Sequence, residues 1–278
     1  MIQWNDYDVG EHRIQCPACG RGPRDKTCGL TIKLDYSGVA HCHRCSFVET
    51  YRPERGAHIA APSTPRITGR QRAPKRETLS DYGCDLWDAC EPLKGSVAVD
   101  YLASRKCVLP PDDGDLRQHP NLKHPSGYVG PALVARVTDA VTGDAISLHR
   151  TWVRADGRKA YVGVSRMLLA GHRKQGGVIR LWPDEAATST LGIAEGIESA
   201  LSLAWAVQPV WALIDAGNLA KLPVLAGIET LVIAKDNDPA GVAAADECGR
   251  RWVEAGAEVL VSQQTENDLN DTILEMTV

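Results

Sequence analysis

No apolar run in this 278-residue chain approaches the roughly 18–20 residues that a membrane-spanning helix needs. The N-terminus, MIQWNDYDVGEH, lacks the charged-then-apolar pattern of a secretory signal. A cytosolic protein is expected, with no membrane partner. Net charge is also scarce: 31 Lys and Arg stand against 35 Asp and Glu, leaving −4. Taken as an average, that argues against a nucleic-acid binder. Nothing in the chain matches the phosphate-binding pattern G-x-x-x-x-G-K-[ST], so no P-loop motor is read from it. Disorder is excluded as well, because 44% hydrophobic residues suffice to bury a core.

The average charge hides a gradient. Residues 1–80 carry 13 basic and 8 acidic residues, net +5, and residues 81–183 carry 14 and 11, net +3. Residues 184–278 carry 4 basic and 16 acidic residues, net −12. That acidic third is no disordered tail, since Val, Leu, Ile and Ala recur in it with strand and helix periodicity. It reads either as a solvated acidic domain or as a site where carboxylates gather for a divalent cation.

Nine cysteines without a signal sequence point away from a disulfide framework. Four of them form two Cys-x-x-Cys pairs, Cys16/Cys19 and Cys42/Cys45, separated by 22 residues. Each pair presents two thiolates from one tight turn, and together they complete a tetrahedral four-sulfur shell, the spacing of structural zinc. Iron is the alternative metal, because four sulfurs discriminate metals poorly. Leu30–Lys33 and Val39–His41, around Asp35–Gly38, read as a hairpin, so residues 1–51 are expected to form a zinc ribbon. Cys28, His41 and His43 are read as non-ligands. A segment this short has little core, and the metal is expected to supply most of its folding free energy, about 10–16 kcal/mol in comparable peptides. Arg13, Arg21, Arg24, Lys26, Lys33 and Arg44 lean toward phosphate contact. Residues 52–76 hold four Pro, two Gly, seven basic residues and one acidic residue, with no apolar periodicity, and read as a basic flexible linker.

Residues 77–183 read as a small α+β unit. Leu79–Cys90 and Val97–Arg105 have helical spacing, whereas Ala132–Thr138, Ala145–Val153 and Lys159–Val164 alternate as strands. His149, Arg150 and Trp152, followed by Arg154, Arg158 and Lys159, fall on adjacent strands and suit a phosphate backbone or a nucleotide. The competing reading is a mixed sheet with Trp152 in its core. Gly171–Val178 is a basic, glycine-containing turn.

Residues 184–278 alternate strand and helix: Leu191–Ala194, Val210–Ile214, Thr230–Ala234 and Glu258–Ser262 as strands, Ser199–Val207 and Gly241–Ala255 as helices. Such alternation implies a parallel sheet, with functional residues at the carboxyl ends of its strands. Glu195 and the pair Asp236/Asp238 occupy such ends. Two carboxylates two residues apart in extended chain face one way, and with Glu195 they make a hard-oxygen site for Mg²⁺ of the kind that phosphoryl transfer uses. The bland alternative for Asp-Asn-Asp-Pro is a solvent turn with helix-capping carboxylates.

The runs A-E-G-I-E-S-A, K-D-N-D-P-A-G and N-D-L-N-D resemble the Toprim domain of topoisomerases and primases. The order of zinc ribbon, α+β unit and Toprim domain resembles bacterial-type DNA primases, and the runs YLASRKC, PALVARVTD and LHRTWV resemble those of phages and plasmids. This resemblance implies Mg²⁺- or Mn²⁺-dependent synthesis of short RNA primers on single-stranded DNA from ribonucleoside triphosphates, in the cytoplasm of a bacterial host, with a separate chain as helicase. It makes Glu195, Asp236 and Asp238 catalytic metal ligands, with Asp268 and Asp271 in the later acidic region. Arg44, His149, Arg150, Arg158, Lys159 and Lys235 become the nucleic-acid or nucleotide contacts. One departure stands out: cellular primases usually carry an acid four residues after the motif Glu, where this chain has Ser199, and Glu198 comes one residue early. A Toprim nuclease and a non-catalytic zinc/Toprim recombination mediator are the rival readings.

Overall fold

The computed structural model describes residues 2–20, 22, 25–42, 44, 45, 47–52 and 74–276. Arg21, Arg24, His43 and most of the expected linker lie outside the described residues. The chain divides into two compact units, Met1–Ala73 and Pro74–Val278.

The first unit is one antiparallel sheet of β1 (Gly10–Ile14), β2 (Cys28–Ile32), β3 (Gly38–Cys42) and β4 (Val48–Tyr51), in that order. The expected hairpin is β2–β3. Side chains alternate across a strand, so Cys28, Leu30 and Ile32 from β2 meet Ala40 and Cys42 from β3 in a small core that Ile2 completes. At the hairpin tip the Asp35 carboxylate accepts from the Ser37 hydroxyl at 2.6 Å and from its N–H at 3.1 Å, while Tyr36 sits at φ 60°.

The second unit begins with α1 (Asp81–Asp88) and α2 (Val97–Ser104). Next come β5 (Leu116–Lys123), β6 (Val129–Asp139), β7 (Ala145–Trp152), β8 (Arg166–Leu168) and β9 (Gly177–Arg180). The acidic third supplies β10 (Thr190–Ala194), α3 (Ile197–Leu203), β11 (Val210–Ala212), α4 (Ala216–Ala220), β12 (Thr230–Ala234), α5 (Pro239–Glu254), β13 (Glu258–Val261) and α6 (Leu269–Glu275). All of these strands join one nine-stranded sheet, ordered β13-β12-β10-β11-β9-β6-β7-β8, with β5 added on β6. The sheet therefore runs through the boundary expected at 183/184, since β9 stands between β11 and β6.

Two differences from the sequence reading have clear causes. Pro120 hides β5, but it sits at the irregularity between His119 and Leu122, where a missing N–H costs no ladder bond. Lys159–Val164 forms no strand. Only Lys159 bridges Val153; the chain then bends, with Gly163 at φ +81°, and β8 takes the place beside β7.

The parallel strands β12, β10 and β11 are apolar and buried on both faces, as a sheet covered by helices on each side requires, and β13 is the exposed edge strand beside β12. Leu191, Ile193, Leu231 and Ile233 pack with Leu219 of α4 and with Ala244, Cys248 and Trp252 of α5. The alternate residues Ala194, Ala212, Val232 and Ala234 pack with Ile197, Ala200 and Leu201 of α3 and with Ala98, Tyr101 and Leu102 of α2. The connection from β10 leads to β11 on one side, and the connection from β12 leads to β13 on the other. This reversal opens a crevice at the carboxyl ends of β10 and β12, where such sheets bind ligands.

Because the second unit owns its core, a fragment spanning residues 74–278 is expected to fold alone. A single cooperative thermal transition by circular dichroism checks this; a fragment that is molten would refute it.

Candidate functional site

Glu195 follows directly on β10, and Asp236 lies two residues past β12, so both stand at the crevice between these neighbouring strands. Each brings one orphaned oxygen: Glu195 Oε1 and Asp236 Oδ1 are buried without a hydrogen-bond partner. Their acidities shift accordingly. Burial, then Asp236, Asp238 and Asp215, push the Glu195 carboxyl up to about 7, against a pull from the Ala216 N–H. Burial, then Asp268, Asp238 and Asp271, push Asp236 up to about 6. Buried carboxylate oxygens that repel one another and lack donors suit a hard divalent cation, so the residues fit the Mg²⁺ or Mn²⁺ that the resemblance implies. The acids are not drawn tightly together. Among the described residues, only the four cysteines bring three or more ligand atoms within 4.8 Å of one another.

The motif around Asp236 is held by its neighbours. A Cβ on Gly241 would fall 2.6 Å from the Asp236 carbonyl oxygen, so only glycine lets the first turn of α5 pack this close. Asn237 donates to the Gln264 carbonyl at 3.0 Å and to that of Glu266, tying the loop after β13 to the motif. Lys235, expected on a nucleotide, donates to the Asn237 side chain at 2.9 Å.

The remaining acids have local duties. Asp238 caps α5, accepting from Gly241 N at 2.7 Å, and Pro239 follows at the start of the helix. Asp268 caps α6 through Asp271 N at 2.8 Å, and Asp271 pairs with Arg105 at 3.0 Å. Capping occupies one oxygen and leaves the other, so Asp238 and Asp268 keep a free face. Glu198 stands apart from the acid pair. It is buried on α3, where Tyr101 and Arg166 contact its Oε1 and Lys159 lies 3.8 Å away.

The expected cationic face is rearranged. Successive residues of a strand point to opposite sides, and this separates His149 from Arg150. Arg150 is buried, stacks over Trp152 at 5.3 Å and donates to the Leu168 carbonyl at 3.0 Å, in the layer beneath α1 rather than at the acids. Trp152 is fully buried and donates to the Leu122 carbonyl at 2.9 Å, which settles it as core. Burial, then Arg166, push His149 down to about 3, so it is neutral and carries no charge for a phosphate. Arg158 and Lys159 are exposed. Arg105, Tyr101 and Arg166 carry no signal in the sequence, and Glu198 stands out there only as an acid one residue early. Arg166 sits on a three-residue strand and Arg105 at a helix end, and neither position has a local pattern that marks it.

In the first unit the four sulfurs converge, with Cys16 Sγ 3.6 Å from Cys45 Sγ and Cys19 Sγ 3.7 Å from Cys42 Sγ. A tetrahedron with metal–sulfur bonds of about 2.3 Å has edges of about 3.8 Å, so the cluster fits a zinc ion. The N–H groups of Cys19 and Arg44 point at Cys16 Sγ and Cys42 Sγ, both at 3.4 Å, and favour thiolates. Cys28 is buried in the core outside this cluster. Arg44 is paired with Asp25 at 2.7 Å.

Residues 190–277 match the family model of the Toprim domain, so the segment from β10 to α6, which bears the acids, is a Toprim domain. Residues 77–181 match a family described as a domain of unknown function (DUF7146). No curated protein matches the chain. Among solved structures, the primase fragment of the bacteriophage T7 primase-helicase is similar at 15% identity and TM-score 0.46, over 96% of each chain. The zinc-binding and RNA polymerase domains of the Aquifex aeolicus primase align at 15% identity and TM-score 0.45, over 99% of this chain and 80% of that one. A DNA primase domain from Pseudomonas aeruginosa aligns at 13% identity and TM-score 0.43, over 71% and 73%. Among the described residues, no helix is long and apolar enough to cross a membrane.

Two predictions follow from these geometries. Because folding raises the Glu195 pKa from 4.5 to about 7, its contribution to stability is fully present below 4.5 and is lost as pH rises through about 7. Without added divalent cations, Glu195→Gln should therefore raise the melting temperature at pH 8, by about 2–4 °C for each kcal/mol relieved, and leave it unchanged at pH 4. Equal melting of the two proteins at pH 8 would contradict this. The purified chain should carry one zinc by elemental analysis. Cys16→Ser should abolish it and unfold the ribbon, read by loss of amide-exchange protection in residues 1–51 alone.

Proposed function

We propose that this chain is a DNA primase that makes short RNA primers on single-stranded DNA by metal-dependent nucleotidyl transfer, in phage or mobile-element replication. The observation that carries the proposal is the pair of orphaned, buried oxygens on Glu195 and Asp236 at the switch point of a Toprim sheet. The cations Arg105, Lys159 and Arg166 near these acids support it, as does a four-cysteine cluster in the same chain.

Glu195 and Asp236, joined by the free face of Asp238, would hold Mg²⁺ or Mn²⁺; Asp268 and Asp271 would stand behind them. Bound there, the cation supplies Lewis-acid stabilisation of charge on phosphate oxygens. The chain's own residues position substrates. The parallel strands fix the acids, and the cationic side chains attract triphosphate. The primer hydroxyl attacks the α-phosphorus of the incoming nucleotide and gives its proton to water, the bond to the β-phosphate oxygen breaks, and pyrophosphate leaves. Nucleotides supply both reacting groups, so no protein nucleophile is needed. The ribbon, with zinc on Cys16, Cys19, Cys42 and Cys45, is assigned to the template together with Arg44, and Arg158 to strand or nucleotide. A helicase that unwinds the duplex is the partner this reading calls for, in the bacterial cytoplasm.

The test is synthesis from labelled ribonucleotides on single-stranded templates with Mg²⁺ or Mn²⁺. Short labelled products are expected, and Asp236→Ala with Asp238→Ala should reduce them at least about a hundredfold. Cutting of a labelled strand without extension would make the protein a nuclease. Tight strand binding with neither reaction would make it a mediator.

A further inference from the structure

Glu198 does work that its place in the motif does not announce. It follows Glu195 by three residues but lies in the first turn of α3, packed against α2. Its side chain is 8% exposed. On Oε1 converge the Tyr101 hydroxyl and the Arg166 guanidinium, both as donors, with the Lys159 ammonium at 3.8 Å. Tyr101 is itself 2% exposed, so the carboxylate is fixed from below. The cations are reachable: the Arg166 and Lys159 side chains are 38% and 43% exposed.

The charges do not balance. Two cations share one carboxylate, which leaves a surplus of one positive charge at the surface. Arg105 adds no further surplus, being paired with Asp271. His149, buried beside the patch with an unpartnered Nδ1, adds none either. Across the crevice, Asp236 and Asp268 interact with these cations at longer range and form no ion pair with them. A surplus cation next to a carboxylate pair suits a ligand that is anionic and carries a divalent metal, such as a polyphosphate. An arginine fork fits phosphate oxygens in a way a lone ammonium does not.

We propose that Glu198, with Tyr101, is the brace that positions Arg166 and Lys159, the cations assigned above to the triphosphate. This rests on the nucleotidyl-transfer reading above. Glu198 is thus a positioning residue and no ligand of the metal. A carboxylate this buried is tolerated because the cations compensate its desolvation, and in return it fixes the direction of two long side chains that would otherwise sample many rotamers.

Two measurements on the full chain test the proposal: calorimetric binding of inorganic tripolyphosphate, and steady-state primer synthesis with varied nucleotide. Lys159→Ala should weaken tripolyphosphate about tenfold, and Arg166→Lys should weaken it severalfold by removing the fork while keeping the charge. Glu198→Gln raises the surplus from one charge to two. It should leave tripolyphosphate binding equal or tighter while kcat/KM for synthesis falls at least about tenfold, with Mn²⁺ affinity unchanged. Tyr101→Phe should act in the same direction and less strongly. The brace is refuted if Glu198→Gln weakens Mn²⁺ binding, or if it lowers only the melting temperature while KM and kcat per folded molecule stay the same. The phosphate site is refuted if Lys159→Ala and Arg166→Lys both bind tripolyphosphate as the unaltered chain does. If the unaltered chain makes no primer yet these two variants lose tripolyphosphate, the proposed reaction fails and the phosphate site stands.

Discussion

Glu195 and Asp236 are held near each other against their own repulsion, each with one buried oxygen that no donor reaches, and the surrounding fold serves that constraint. Two carboxyl groups pushed toward neutral pKa values are a standing destabilisation. A lone hairpin or loop would relax by turning the side chains to water. Here β10 and β12 are central strands of a sheet buried on both faces, and their ends cannot part without opening two apolar layers. Gly241 then lets α5 close on Asp236 from one side, and Asn237 fastens the following loop from the other. The strain at the acids is borne by the core.

The same sheet brings charges of opposite sign together. The acids come from the carboxyl-terminal third, whereas Lys159, Arg166 and Arg105 come from the basic middle segment. Because β9 continues the sheet from β11 to β6, the two segments form one unit. A net charge of −4 conceals this, since the quantity that matters is the field within one crevice. Surface ion pairs such as Arg250 with Glu247 add to the totals and contribute little to stability or site.

What was legible in the sequence follows from short-range physics. The two Cys-x-x-Cys pairs fixed the ribbon because ligand spacing is local, and their sulfurs do converge. Strands β6, β7, β10 and β12 announced themselves through apolar runs and alternation, as did the helices around residues 81–88, 97–104 and 239–254. The carboxyl-end placement of Glu195 and Asp236 followed from strand–helix alternation alone. Other features were out of reach. β5 carries a proline, and β8 is three residues long. Alternation along β7 was visible, but which face meets the acids depends on pairing with β6 and β8. That is why Arg150 was placed with the nucleotide contacts and lies instead beside Trp152.

Glu195 and Glu198 show how far residue type falls short of role. Both are glutamates in one four-residue run, and both lose water on folding. Glu195 then meets other carboxylates, and its pKa rises to about 7. Burial of Glu198 acts in the same upward direction, yet Arg166 and Lys159 outweigh it and hold the group at about 2. The sign of the shift is set by partners 30 to 40 residues away in sequence, which strand order delivers. A strand end directs the first glutamate into the crevice. One turn of helix directs the second toward α2, and there a carboxylate can only serve as a counter-charge. An acid one position later would leave the helix about 100° further round, which is where the chain has Ser199.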